Sequence, residues 1–281
     1  MSGTPLTLEM PKVHSILVES EQGIFAVHAR DHIVGPCLAS LGTWEASVIA
    51  HVRRILRPGD FCVDIGANFG WHTIAMQRAV GPRGKVVAIE PDSENRRVLE
   101  WNLRLAGAGN VVVLPLAIWE SGGQVTLELA PDNFGDHRVR AARRMDAMGE
   151  SSRRCATVPA MRLDDAMEAA AADRASDPLR LLKIDAQGSE VAIFRGAPDT
   201  LARTDCLLAE FWPYGLAAAG HTASEYLEFV HRHFRRFLIL EHRGVAVPGA
   251  TCGAVEDLSA AIDVSLDPHN HYEFLFDRET P

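Results

Sequence analysis

The feature that most constrains the fold is the segment from residue 61 to residue 73, FCVDIGANFGWHT. An apolar run ends in Asp64, a turn containing Gly66 and Gly70 follows, and the next residues can begin a helix. This order predicts a strand, a tight loop and a helix, with glycines that let a ligand approach the backbone.

The same alternation of apolar strands and helices continues along the chain. The strands of this alternation are predicted at residues 61–65, 85–90, 111–117, 179–184, 206–211, 237–241 and 272–276. The pattern breaks between them, where we expect an edge or hairpin strand at 125–129 and another short strand at 156–163. Strands that are apolar on both faces and alternate with helices indicate a parallel sheet covered on both sides. We therefore predict an α/β fold with a doubly wound, mostly parallel sheet of about seven strands. Ligands of such sheets bind at the carboxyl ends of the strands.

Residues 1–58 are predicted to form an N-terminal cap of strand and helix, and residues 59–281 a single catalytic unit. Within the cap we expect a strand at residues 24–27, a loop at 31–42 and a helix at 44–56 with Thr43 as its N-cap.

Residues 132–154 are polar and carry the arginines Arg138, Arg140, Arg143, Arg144, Arg153 and Arg154. This segment is long for a connector, so it is either a lid that grips an acidic acceptor or a solvated loop.

Charge and composition exclude some partners. The net charge of −9 argues against a nucleic-acid binder, which needs a basic face to neutralise phosphates. The chain has no apolar run near the ~18 residues of a membrane span. Its first residues have neither the basic start nor the apolar core of a signal peptide, so none is expected there. The five cysteines contain no CxxC pair and are expected to be free thiols, which suits a cytoplasmic protein. Homo-oligomerisation is left open.

The glycine loop favours a cationic nucleoside ligand over a dinucleotide. Dinucleotide folds use GxGxxG, but here Asn68 stands between Gly66 and Gly70. The carboxylate of Asp64 would repel a pyrophosphate and attract a sulfonium or ammonium group. Glu90, at the end of the next strand, suits the ribose hydroxyls of either cofactor class. S-adenosylmethionine fits this pattern, and NAD(P) is the alternative.

At these residues the chain resembles the FkbM family of S-adenosylmethionine-dependent methyltransferases. The resemblance covers roughly residues 30–215. Its matching stretches are GTWE at 42–45, VDIGANFG at 63–70, IEP at 89–91, and LKIDAQGSE at 182–190 followed by RGA at 195–197. The 182–190 stretch is specific to the family, whereas the glycine loop is shared by many methyltransferases.

The resemblance implies a class I methyltransferase sheet and S-adenosylmethionine as cofactor. The residues implied at the cofactor are Asp64, Gly66, Asn68 and Gly70 on the methionine side, Glu45 from the N-terminal helix, Glu90 at the ribose, Asp92 near the adenosine, and Ala117 with Ile118 near the adenine. His72 follows the glycine loop and is expected to abut the cofactor. Members of the family typically methylate hydroxyl groups of sugars or secondary metabolites.

The strand ends supply the catalytic candidates, since a hydroxyl acceptor must lose its proton to a base or a metal-bound group. Asp185 is the first candidate, Glu210 the second, and His137 a base from the arginine-rich segment. Lys183 is predicted to contact the substrate, with a buried Lys183–Asp185 pair as the structural alternative. No metal is predicted, and the alternative is Mg²⁺ held by Asp185 and Glu210.

Arg138, Trp212 and Tyr214 are further predicted substrate contacts. The sequence thus predicts a methyltransferase that methylates a hydroxyl group of a small molecule, either a secondary metabolite or a sugar. The alternatives are an NAD(P)-dependent oxidoreductase and a non-catalytic nucleoside-binding protein. The alternative acceptors are an acidic substrate and an N-methyl acceptor.

Overall fold

The protein was analysed as a computed structural model that describes residues 14–140, 145–247 and 251–279. Its strands are β1 (Ser15–Ser20), β2 (Gly23–His28), β3 (Phe61–Ile65), β4 (Lys85–Ile89), β5 (Val111–Leu114), β6 (Ala117–Ile118), β7 (Gly123–Leu129), β8 (Arg138–Val139), β9 (Arg154–Met161), β10 (Leu179–Ile184), β11 (Thr204–Phe211), β12 (Arg236–His242), β13 (Val245–Ala246), β14 (Cys252–Ala254) and β15 (Tyr272–Asp277). Its helices are α1 (Val34–Leu41), α2 (Ala46–Ile55), α3 (Trp71–Val80), α4 (Ser93–Leu105), α5 (Leu163–Ala170), α6 (Glu190–Arg195), α7 (Pro198–Ala202), α8 (Pro213–Ala218), α9 (Ala223–His233) and α10 (Leu258–Ala261).

The main sheet has the order β13-β12-β15-β11-β10-β3-β4-β5. Strands β5, β4, β3, β10 and β11 are parallel, and β15 is antiparallel between β11 and β12. The short strands β13 and β14 pair with the edge strand β12. Strand β3 pairs with β4 on one side and with β10 on the other. The order in which the chain adds strands to the sheet therefore reverses at β3. The predicted doubly wound, mostly parallel α/β sheet is confirmed.

Apolar side chains cover both faces of this sheet. On one face the buried residues come from α5, α6, α7 and α9. On the other face they come from α1, α2, α3, α4 and the β1–β2 hairpin. Strands such as β3 and β10 bury side chains on both sides, which is why their sequences are continuously apolar.

A second, smaller sheet has the order β6-β9-β7-β8. The strand predicted at 111–117 therefore splits, because β5 ends at Leu114 and Ala117 begins a strand of the smaller sheet. The strands predicted at 125–129 and 156–163 pair with each other as β7 and β9, not with the main sheet.

The N-terminal cap differs from its prediction at three points, the first of which is the additional strand β1. Residues 34–41, predicted as loop, form α1, whose Val34 and Leu38 are buried in the core. Thr43 is not an N-cap, because α1 ends at Gly42 and α2 begins after Glu45. The low helix propensity of the glycine and proline in α1 hid it from a sequence-based analysis, and tertiary packing outweighs that propensity. In the described part of the chain no helix combines the length and apolarity that a membrane span requires.

Candidate active site

The glycine loop brings its backbone against the end of β10. Gly66 has a φ of +78°, and a Cβ atom there would lie 1.9 Å from the carbonyl oxygen of Asp185. Gly70 has a φ of +95° and precedes α3, where a Cβ would lie 2.6 Å from a methyl group of Leu99. Only glycine fits both positions, so the loop geometry fixes the approach of β3 to β10.

Asp64 lies beneath the loop, outside both cavities described below. Its side chain is fully buried, and Oδ2 accepts a hydrogen bond of 2.6 Å from the Thr73 hydroxyl. Nζ of Lys183 lies 3.7 Å from Oδ1 of Asp64 and donates to Oδ2 of Asp185 at 3.3 Å. Burial opposes the charge of Lys183, but Asp185 and Asp64 outweigh it and raise the pKa of the lysine. The buried Lys183–Asp185 pair, which was the structural alternative to a substrate contact by Lys183, is thus present. Asp64 is a second partner of the same lysine.

A narrow pocket of about 70 Å³ lies beside the end of β4. Its lining includes Glu90, Ala117, Ile118, Phe134 and His137. The two Glu90 oxygens accept hydrogen bonds of 2.8 Å from the backbone N–H groups of Asn68 and Asp92. Burial raises the pKa of Glu90 to about 8.

Asp92, predicted near the adenosine, serves a different purpose in the fold. Its carboxylate accepts hydrogen bonds from the backbone N–H groups of Glu94 and Asn95 at 2.9 and 2.8 Å, and it is therefore the N-cap of α4. It is not among the residues that line the narrow pocket.

A large cavity of about 470 Å³ adjoins the narrow pocket, and both are lined by Gly66, Asn68, Gly135 and Asp185. Of the predicted site residues, Glu45, Gly66, Asn68, His72, Asp185, Glu210 and Trp212 line the large cavity. His137 lines the narrow pocket instead and accepts a hydrogen bond from the Ala130 N–H. Several of the predicted residues thus line one cavity, whereas His137, predicted as a base, lines only the narrow pocket.

Asp185 and Glu210 meet through an amide. Nε2 of Gln187 donates to Oδ1 of Asp185 at 2.8 Å and to Oε2 of Glu210 at 3.2 Å. Burial opposes ionisation of Asp185, but Lys183 and Gln187 outweigh it and lower its pKa. Burial, followed by repulsion from Asp185, raises the pKa of Glu210 well above its usual range. The site thus holds an ionised carboxylate beside one that favours its proton. Within the described residues, no cluster of three or more histidines, cysteines or acids is arranged to hold a metal ion.

Backbone strain is concentrated at the large cavity. Across the described part of the chain, four non-glycine residues have positive φ angles, and Glu45, Asn68 and Gln187 among them line this cavity. The left-handed conformation costs such residues of order 1–3 kcal/mol and is concentrated at functional sites. Oε2 of Glu45 lies 3.0 Å from Nε2 of His72, although the angle is not that of a hydrogen bond.

Arg138 and Tyr214 belong to a buried polar network outside the cavity. The Arg138 guanidinium donates to Asp136 and Glu150, and the Tyr214 hydroxyl donates to Glu150 at 2.7 Å. The guanidinium also lies 4.7 Å from the ring centre of Trp212, whose indole donates to a backbone carbonyl.

The arginine-rich segment is therefore held by internal ion pairs. Arg153 binds Asp136, and Arg140 binds Glu128. Phe134 stacks on His28 at 3.9 Å between ring centres and covers the narrow pocket. Arg143 and Arg144 lie outside the described residues.

The cavity residues that were not predicted as site residues include Gln187, Glu241, His271 and Glu273. Glu241 lies one residue before the end of β12 and ends the strand predicted at 237–241, so the reasoning that selected acids at strand ends applied to it as well. Glu273 begins the antiparallel strand β15, and the start of an antiparallel strand lies at the same sheet edge as the ends of its parallel neighbours.

A comparison with known families decides the assignment. The protein-family model described as the methyltransferase FkbM domain matches residues 64–244, which is more than half of the chain. The chain belongs to the FkbM methyltransferase family. This match includes the glycine loop, Glu90 and the segment around Asp185. No curated protein matches the sequence significantly.

Several solved structures are distantly similar to this FkbM family member. The O-methyltransferase TomG from Streptomyces achromogenes, involved in tomaymycin synthesis and solved in complex with SAM, is 12% identical, with a TM-score of 0.45 and coverage of 84% of this chain and 79% of TomG. A precorrin-6y C5,15-methyltransferase from Geobacter metallireducens GS-15 is 14% identical, with a TM-score of 0.41 and coverage of 84% and 87%. An rRNA methylase from Streptococcus thermophilus is 10% identical, with a TM-score of 0.44 and coverage of 83% and 95%. Likenesses at this level say nothing about the substrate.

Proposed function

We propose that this FkbM family member is an S-adenosylmethionine-dependent methyltransferase that methylates a hydroxyl group of a small molecule. The observation that carries this proposal is the junction of the two cavities. A narrow, mostly apolar pocket with Glu90 at its wall meets a large acid-lined cavity, and Asp185 lines both. A cofactor and an acceptor would meet at such a junction.

The narrow pocket suits the nucleoside of the cofactor. Glu90 is a carboxylate acceptor for ribose hydroxyls, and Ala117 and Ile118 provide an apolar wall for a base. The side-chain oxygen of Asn68 is buried without a hydrogen-bond partner and can accept one from the cofactor. The pocket holds about 70 Å³, which is only a few water molecules, so a nucleoside requires movement of Phe134 and the residues next to it.

When bound, S-adenosylmethionine supplies a methyl group on a cationic sulfur atom. Asp185 is the base that we assign to the acceptor hydroxyl, since it is kept ionised by Lys183 and lies where the cavities meet. His72, in the same cavity, is the second basic group. Trp44 and Trp212 on the cavity wall exclude water from the reacting groups.

The lining of the large cavity disfavours the acidic acceptor that the sequence left open. Six acids line it, and no lysine or arginine of the described residues does. The acids are Glu45, Asp136, Asp185, Glu210, Glu241 and Glu273. A phosphate or carboxylate in this cavity would be repelled.

Membership of the family also leaves no support for the oxidoreductase alternative. A cytoplasmic location suits the five free cysteines.

Calorimetry with S-adenosylmethionine and with NAD tests the cofactor, and we expect binding of the first alone. Release of S-adenosylhomocysteine in the presence of hydroxyl acceptors then tests catalysis. Asp185→Asn should retain cofactor binding and lower turnover about 100-fold or more, the usual effect of losing a general base. Asp205→Asn, at an exposed ion pair with Arg180, is the matched control. Absence of cofactor binding would refute the proposal, and full activity of Asp185→Asn would refute the assigned base.

A further inference from the structure

Three glutamates stand side by side across the antiparallel part of the main sheet. Glu210 on β11 lies directly opposite Glu273 on β15, and Glu273 lies directly opposite Glu241 on β12. Residues in such positions have Cβ atoms about 5 Å apart on the same face of the sheet. We call Glu210, Glu273 and Glu241 the carboxylate row. All three line the large cavity.

A β-bulge completes the row. Residue pairing between β12 and β15 shifts between Ile239 and Glu241, so Leu240 is an extra residue in β12. Without this shift Leu240 would stand opposite Glu273, and Glu241 would be one position further along the pairing. Bulges commonly redirect a side chain next to an active site. Here the bulge places a third carboxylate opposite Glu273.

The carboxylate row is buried and incompletely paired. The relative exposures of Glu210, Glu273 and Glu241 are 6%, 7% and 5%. Glu210 accepts from Gln187, and Glu241 accepts from the Ser47 hydroxyl at 2.5 Å. Within the described residues the side chain of Glu273 has neither a hydrogen bond nor an ion pair, although it lines the cavity. Burial of an unpaired carboxylate is unfavourable, so this arrangement points to a ligand.

The described residues that line the cavity supply no lysine or arginine to compensate the row. The charge of Lys183 acts on Glu273, but the ion pairs of this lysine are with Asp64 and Asp185. Three histidines line the cavity, and burial lowers the pKa of His271 among them, which favours its neutral form. A neutral histidine does not offset the charge of a carboxylate.

The carboxylate row lies on the acceptor side of the site. None of its members lines the narrow pocket, whereas Asp185 lines both cavities. The row therefore faces the part of the large cavity that lies beyond the junction. The charges of a cofactor bound at the junction would be nearest to Asp185, and the row would be left for the acceptor.

We propose that the carboxylate row binds a primary ammonium group of the acceptor, which makes the substrate an amino alcohol such as an amino sugar. This inference rests on the proposed function. An ammonium group offers three N–H donors and a positive charge, which suits three neighbouring carboxylates. An amine held in this way keeps its proton and is not a nucleophile. The ammonium group thus anchors the substrate, and a hydroxyl group of the same molecule receives the methyl group and gives its proton to Asp185.

Two isosteric pairs of probes test the inference by calorimetry at neutral pH, with and without S-adenosylhomocysteine. The pairs are glucosamine with glucose, and 2-phenylethylamine with 2-phenylethanol. Wild-type protein should bind the amine of at least one pair about tenfold or more tightly than its alcohol, the ratio expected for one charged hydrogen bond. Glu273→Gln should abolish this preference. Glu228→Gln, at an exposed ion pair with Arg232, should leave it unchanged.

Glu273→Gln should also keep or raise the melting temperature, because it removes a buried carboxyl group that has neither a hydrogen bond nor an ion pair within the described residues. Glu241→Gln is the second variant and should weaken amine binding in the same direction. Equal binding of amine and alcohol in both pairs would overturn the inference. Binding of Mg²⁺ alone that is lost in Glu273→Gln would overturn it in favour of a metal site. Failure of S-adenosylhomocysteine to bind would count against the proposed function. The titrations without it measure amine binding by the carboxylate row independently of the cofactor.

Discussion

Replacement of Lys183 by methionine isolates the buried charge that supports the site. Methionine keeps most of the apolar stem and removes the ammonium group. The lysine side chain is only 1% exposed, and it lies 3.3 Å from Asp185 and 3.7 Å from Asp64. Removing one partner of a buried pair costs about 3–5 kcal/mol, because the remaining charge is left uncompensated. For a chain of this size this corresponds to a fall in melting temperature of roughly 10 °C.

The assay is chemical and thermal unfolding of a double-mutant cycle. Asp64→Asn in the Lys183→Met background removes the carboxylate that is left without its cation, so the double variant should regain part of the lost stability. Lys85→Met is the control, because Lys85 pairs with the exposed Asp173, and solvent screens such surface pairs so that they contribute little.

The pH dependence has a definite sign. The pKa of Asp185 is lowered in the folded protein, so its contribution to stability is present above its unfolded pKa and is lost as pH falls through the folded value. The stability difference between wild type and Lys183→Met should therefore shrink in acid. A loss no larger than that of Lys85→Met, or no recovery in the double variant, would refute the role of Lys183 as the compensating charge.

Three further predictions concern the loop, the ribose acid and the arginine-rich segment. Gly66→Ala should lower the melting temperature far more than Gly59→Ala, since both have positive φ but only Gly66 faces a backbone atom at 1.9 Å; equal losses would contradict the close approach. In the wild type, affinity for S-adenosylmethionine measured by calorimetry should rise as pH passes about 8, where Glu90 ionises. The contribution of Glu90 to folding stability, present below its unfolded pKa, should be lost as pH rises from that value to about 8. Glu90→Gln should show neither trend. Arg138→Met should cost about 3–5 kcal/mol in unfolding experiments, because it leaves the buried Glu150 without a cation and Asp136 with Arg153 alone, and an unchanged stability would contradict this role of the ion pairs.

The main sheet could be predicted because its physics is local. The strands at residues 61–65 and 179–184 coincide with their predictions, since burial on both faces makes each a continuous apolar run. The β1–β2 hairpin was only partly recognised, because Ile16, Leu17 and Ile24 are exposed and break the alternation of buried and exposed positions. Helix α1 was missed because packing, not propensity, stabilises it.

The sequence indicated only those site acids that lie at the ends of parallel strands. Acids at the ends of parallel strands converge on one edge, and that rule selected Asp185 and Glu210. Glu273 escaped it because β15 runs in the opposite direction. Glu241 met the same rule at the end of its predicted strand but was not selected, and the bulge that pairs it with Glu273 had no sequence signal. Arg138 was assigned to the substrate from its charge alone, but that charge is paired within the protein.

The large cavity also concentrates unfavourable features, namely strained backbone conformations and buried acids. Three of the four non-glycine residues with positive φ in the described residues line it, and so do three glutamates that face one another. Apolar residues in the row would remove the cost of burying three carboxyl groups, so stability does not explain the row. Local rules are broken at functional sites, where a ligand compensates for the loss. Backbone strain and charge are independent observations, and their coincidence in one cavity supports a site for a cationic acceptor without reference to any related protein.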